Sequence, residues 1–262
     1  MPQLNRFIRR YLLTLMLLSF LVLGQSVDNP PVPDEETPSY QLHALLLKLR
    51  GSNYDPLISA RATPALREAF NNATGALTKE NIASVLMIIG QKDEIYWSTL
   101  SKRAQEIVDS QAPDPVAYDA NGKSVRGVIS PEFLQWVKDN NIPKDEAESE
   151  EMGSFAGELS LMASTGDRRG LPILRKGLSS PNYAVRAMAA QGLAVLQDRD
   201  SIPLIINAAR QAPSEIQWFI AQPLVSFNDS KALAAADELI TDKKLLEDLR
   251  QRAKAKGARG LW

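Results

Sequence analysis

The chain has 262 residues, enough for one elongated array or two small domains, and a formal net charge of −1 gives it no global attraction to nucleic acid or anionic membrane. It has no cysteine and one histidine, His43. Disulfides, thiol nucleophiles, thiolate metal sites and His-rich metal sites are excluded, and a His-dependent triad would have to use that single residue.

Residues 1–26 read as an export signal. Arg6, Arg9 and Arg10 form a positive n-region, Leu12 to Leu23 an apolar run, and Gly24 and Ser26 set small residues before a cleavage at Val27. The run is about a dozen residues, short of the ~20 that span a bilayer. The preferred reading is a periplasmic or secreted bacterial protein; an uncleaved membrane anchor is the alternative. Residues 27–39 carry Pro30, Pro31, Pro33 and Pro38 beside Asp34, Glu35 and Glu36, an extended spacer.

Residues 40–110 form an N-terminal helical region. Leu42, Leu45, Leu46 and Leu49 give a helix closed by Gly51, with His43 inside it as a solvated or half-packed residue. Asp55-Pro56 and Thr63-Pro64 each read as an N-cap followed by proline, which predicts two helices, the second through Leu66 to Asn72. Thr78 reads as the cap of a helix over Ile82 to Ile89, stopped by Gly90. Asp93 opens a long helix with Trp97, Leu100, Ala104 and Ile107 on one face.

Residues 111–143 interrupt the helices. Val116-Ala117-Tyr118 and Ser124-Val125-Arg126 flank Asn121-Gly122, a hairpin signal, and Ser130-Pro131-Glu132 starts a helix through Phe133, Trp136 and Val137. Ala117-x4-Gly122-Lys123-Ser124 formally matches a relaxed phosphate loop. Pro113 and Pro115 before it, and Gly127 and Pro131 after it, leave no room for the buried strand and long helix that such a loop needs, so no nucleotide is expected.

Residues 144–262 hold the most regular part. Gly166-Asp167-Arg168-Arg169-Gly170-Leu171-Pro172-Ile173-Leu174 aligns with Gln197-Asp198-Arg199-Asp200-Ser201-Ile202-Pro203-Leu204-Ile205, a shift of 198 − 167 = 31. Adding 31 again reaches Asp229. Val185 pairs with Ile216, Ala189 with Ile220, Leu193 with Leu224 and Leu196 with Phe227. A fixed period of apolar positions means stacked units. Each unit reads as two helices: the first opened by a capping Asp with Pro172 or Pro203 in its first turn, the second coming after Ser179-Ser180-Pro181-Asn182 or Gln211-Ala212-Pro213-Ser214. Relative to Asp93, Trp97 and Leu100 occupy the offsets of Leu171 and Leu174 from Asp167, which marks a degenerate copy. A helix through Met152, Phe155, Leu159 and Met162 reads as the second half of another unit, and Leu233 to Ile240 and Leu245 to Lys256 as the last pair.

Asp-x-x-x-Leu/Ile-Pro-x-Leu/Ile, a loop, then Val185-Arg186-x-x-Ala189-Ala190-x-x-Leu193 resembles the short HEAT repeat of the phycobilisome-lyase type. The resemblance covers two full units, and the second departs from it at Gln217 and Pro223. It implies an all-α, right-handed α-solenoid of helix pairs, carrying here a short hairpin insert, whose second helices line a concave face that binds a protein partner. Some HEAT-like proteins are DNA glycosylases and others act on bilins. Neither analogy brings matching site residues here, and no carboxylate pairs with Glu158 or Asp200 in the sequence. The expected role is therefore an exported interaction scaffold without catalytic residues, cofactor or metal. The alternatives are an enzyme built on the insert and a structural subunit of an envelope complex.

Residues 139–151 carry six carboxylates and one lysine, and residues 243–259 seven basic and two acidic groups. Both read as solubilising caps of the sign that helix ends favour; a dimer contact and a nucleic-acid or lipid patch are the alternatives. The candidate partner site comes from the second helices. Opposite the core stripe lie Trp218, Ala221 and Val225, then Ala187, Ala190 and Ala194, then Ala156, Leu159 and Ala163. Together they predict one apolar strip across the concave face, with Trp218 as anchor and Arg186, Gln217 and Gln222 as rim. Two other readings stand beside it: close helix packing, and a groove filled by the chain's own Phe133 and Trp136.

Overall fold

The computed structural model describes residues 56–142 and 157–256. The expected export signal, the proline-rich spacer, His43 and the acidic residues 145–151 lie outside them. In chain order the helices are α1 (Pro56–Asn72), α2 (Ala76–Ile88) and α3 (Glu94–Asp109). A hairpin comes next, β1 (Val116–Tyr118) and β2 (Ser124–Ile129), then α4 (Pro131–Asp139) and α5 (Gly157–Ser164). The remaining helices are α6 (Leu171–Gly177), α7 (Tyr183–Val195), α8 (Ile202–Arg210), α9 (Ser214–Ala221), α10 (Ser230–Leu239) and α11 (Lys243–Lys256). Short 3-10 turns precede α6 and α8, and a third, Gln222–Ser226, continues α9.

The helices pack as an all-α solenoid. α1 pairs with α2, α3 with α5, α6 with α7 and α8 with α9, while second helices stack on their neighbours in the order α2, α5, α7, α9. α10 and α11 both pack on the 3-10 turn that ends α9. One continuous apolar core runs from Leu66 to Leu249. The register read from the sequence holds inside it: Val185, Ala189, Leu193, Leu196, Ile220, Leu224 and Phe227 are all buried. Small residues set the helix spacing. A Cβ on Gly192 would come within 2.8 Å of Leu174 and 3.0 Å of Ala163, so α7 can lie this close to α5 and α6 only with glycine there.

The structure differs from the sequence reading at several element boundaries. α1 runs straight through Thr63 and Pro64 instead of breaking there. Leu66 and Phe70, buried against α2, sit beyond the proline, and that packing outweighs a local cost of about 3 kcal/mol. α2 begins at Ala76 after an extended Gly75, so Thr78 lies inside the first turn and does not cap. Asp93 precedes α3 without a capping bond; its carboxylate pairs with Arg67 at 3.3 Å. The helix carrying Leu159 packs against the helix opened by Asp93. They are α5 and α3, one unit with the insert between them.

The three repeat-related aspartates do different work. Asp167 accepts the Arg169 N–H and Asp229 those of Lys231 and Ala232, as caps do. Asp198 makes no capping bond. Its side chain is 2% exposed and accepts from Arg175 Nη2 and Nε, at 2.8 and 2.9 Å, with the Ser201 hydroxyl as a third donor. Burial pushes that carboxyl up, but the Arg175 and Ser201 bonds outweigh it and hold it below the ordinary range.

Candidate functional site

The insert is docked, and it docks on helix ends. The first N–H groups of a helix have no partner within it, so something must satisfy them. On α7 the Asn182 side chain takes the N–H groups of Ala184 and Val185 at 2.9 and 3.2 Å. The Tyr183 N–H goes instead to Asp114 of the insert at 3.0 Å, whose other oxygen holds the Val116 N–H at 2.9 Å. Burial pushes the Asp114 carboxyl up to about 6 against those two bonds and the nearby Arg186. One repeat later the hairpin tip meets α9. The Glu215 N–H donates to the Gly122 carbonyl at 3.1 Å, the Ser214 hydroxyl donates to the Asn121 carbonyl at 2.8 Å, and the Ser124 N–H donates to the Glu215 carboxylate. Gly122 sits at φ +72, and a Cβ there would fall 2.6 Å from the Ser214 nitrogen. Tyr118 meets Tyr183 edge-on at 5.7 Å. The insert thus spans the starts of two consecutive second helices.

This docking accounts for the phosphate-loop residues. The Gly122 and Lys123 N–H groups both bond Asp119, to its carbonyl and side chain, and the Ser124 N–H bonds Glu215. All three donors are committed to protein oxygens. The free edge of β2 is blunted as well. Gly127 and the register shift between the strands break its ladder, and Glu215 occupies its first outward N–H.

The expected apolar strip divides in two. Ala187, Ala190, Ala194, Ala221, Val225, Leu159 and Ala163 are buried, and Ala156 lies outside the described residues. They fill the seams between neighbouring second helices, which the packing of α5, α7 and α9 closes. The strip expected on the concave face is thus packing between second helices except at Trp218. Counting about 100° per residue, the outward face lies further round, through Met188, Gln191 and Val195 on α7 and Phe219 on α9, with Gln222 and Ser226 on the 3-10 turn that continues it. Met188, Val195, Phe219 and Ser226 are partly exposed there, while Gln191 and Gln222 are buried between them. Gln191 Oε1 has no hydrogen-bond partner.

Of the residues named as a partner site, Trp218 is the one that stands open. It is 37% exposed, with its ring 5.5 Å from that of Phe219. Arg186 and Gln217, repeat equivalents, are struts. Arg186 Nε donates to the Ser180 carbonyl and its guanidinium lies 5.0 Å over the Tyr183 ring; Gln217 Nε2 donates to the Ala212 carbonyl at 3.1 Å. Each ties the turn before its helix back onto that helix. Phe133 is buried outside the main core and stacks on Trp136 at 6.0 Å. Asp114, Ser214 and Glu215 carry the docking and were missed in sequence, because their contacts join residues 69 to 93 positions apart.

A family model for HEAT repeats matches residues 171–255, from the first residue of α6 almost to the end of α11. This stretch is a HEAT-repeat array. No curated protein and no solved structure gives a significant match. HEAT repeats commonly serve as scaffolds for protein interaction, and the same stacking of second helices continues upstream to α2.

Proposed function

We propose that the protein is an exported HEAT-repeat scaffold that holds a protein or peptide partner on the outward face of its second helices, beside the docked hairpin. The observation that carries this reading is Trp218. A tryptophan left 37% exposed, one turn from the Glu215 that receives the hairpin, offers a large apolar anchor on a rigid element. Phe219, half-buried beside it, adds apolar area, and the sequence of the first 26 residues supports export. The scaffold acts by binding, without a catalytic step, cofactor or metal. Among the described residues no helix is long and apolar enough to cross a membrane.

The test is Trp218→Ala in the full chain, with partner capture from the native cell envelope alongside circular dichroism. The expected variant keeps its helical signal and loses the captured partner. Unchanged capture by a folded variant would remove this face from consideration. Intact-mass measurement of the exported protein tests the other half, with Val27 as the expected first residue.

A further inference from the structure

Two carboxylates are buried where the first two helix pairs meet. Glu80 on α2 and Glu158 on α5 are each 4% exposed, and α2 packs on α5. α3 lies against both helices and brings Arg103, whose charge acts on both acids and which also pairs with Glu106 at 3.4 Å. Among the described groups, one guanidinium therefore faces three carboxylates. The acids do not converge as metal ligands would. Glu158 Oε2 is sealed from solvent and has no hydrogen-bond partner. An ionised oxygen in that position is costly, whereas the neutral acid is tolerated.

The repeat itself does not call for an acid here. Steps of 31 from Glu158 reach Ala189 and then Ile220, both in the apolar core. Burial pushes Glu158 up to about 7; its own backbone N–H and Arg103 oppose the rise, and Glu80 adds to it. Glu80 is raised too, by burial first, against Arg103 and together with Glu106. We propose that the α2–α5 joint is a proton-dependent latch, tight while Glu158 is neutral and loosened when it ionises. α5 is where the chain re-enters the array after the insert, so the latch acts at that re-entry.

The folded state binds the extra proton, and this sets the sign. The contribution of Glu158 is complete below about pH 4.5 and is lost as pH rises to about 7. The experiment is amide hydrogen exchange on the full chain from about pH 5 to about pH 8, corrected for the intrinsic rate. Opening of α2 and α5 should increase on the order of 100-fold in the wild type. In Glu158→Gln it should drop to the smaller slope that Glu80 leaves, and in Asp114→Asn it should keep its full size, which separates this joint from the insert's other buried acid. A wild type without the slope, or a Glu158→Gln variant that retains it at full size, overturns the latch. Should the glutamine variant not fold, carboxyl carbon-13 titration of the wild type decides: a Glu158 midpoint near 7 supports the proposal, and one near 4.5 ends it.

Discussion

The α6–α7 pair and the α3–α5 pair are built on the same plan and joined very differently. Five residues separate Gly177 from Tyr183, whereas 47 separate Asp109 from Gly157. Both pairs nevertheless close on one continuous core. Closure entropy grows only with the logarithm of loop length, so this difference costs about 2 kcal/mol. The insert's docking bonds offset part of that. The contrast shows where the array tolerates novelty. The regular pair keeps an apolar slot at Ala189 and short local caps, while the split pair carries a buried acid at the same slot and an insert tied down on its neighbours.

Truncating the regular pairs should have the largest effect. Leu193→Ala and Leu224→Ala each remove a fully buried side chain and should cost about 2–5 kcal/mol in denaturant melts. A neutral result at either would break the shared register on which the comparison rests.

Next comes the tie between successive units. Asp198→Ala strips the partly exposed Arg175 of its bidentate partner and leaves the Ser201 hydroxyl without its acceptor, at about 1–3 kcal/mol. Because the Asp198 carboxyl is held below its ordinary range, its contribution is present above about pH 4 and lost as pH falls. Asp229→Ala removes only a cap and should cost about 1 kcal/mol. Equal costs for the two would mean that the Arg175 tie contributes no more than a cap does.

The insert should detach more cheaply than the array unfolds. Asp114→Ala leaves the Val116 and Tyr183 N–H groups without their acceptor, a local loss of about 1–3 kcal/mol. Limited proteolysis should then cut the hairpin while the helices stay protected. Loss of the helices at the same rate would make insert and array one cooperative unit. The smallest expected effect is that of Lys123→Ala, an exposed hairpin residue, within about 0.5 kcal/mol. ATP should leave the melting temperature of both forms unchanged, since the turn's N–H donors are already committed.

The sequence by itself determined the repeat and most of its punctuation. The 31-residue period, the Asp and Pro at first-helix starts, the break at Ser179 to Asn182, the Asn-Gly hairpin and the Ser130-Pro131 helix start are local signals, and local chemistry settles them. Helix length at Pro64 was not local, because Leu66 and Phe70 draw their packing from α2. Tertiary structure alone decided which side of each second helix faces outward. A 3.6-residue period fixes a core stripe but not how far round the neighbouring helices reach, so Ala187, Ala190, Ala221 and Val225 went into the seams and left Trp218 at the surface. It also joined α3 to α5 across the insert, placed Asp114 on α7, and set Glu158 beside Glu80. Those contacts link residues tens of positions apart, and only the stacking of second helices brings them within reach.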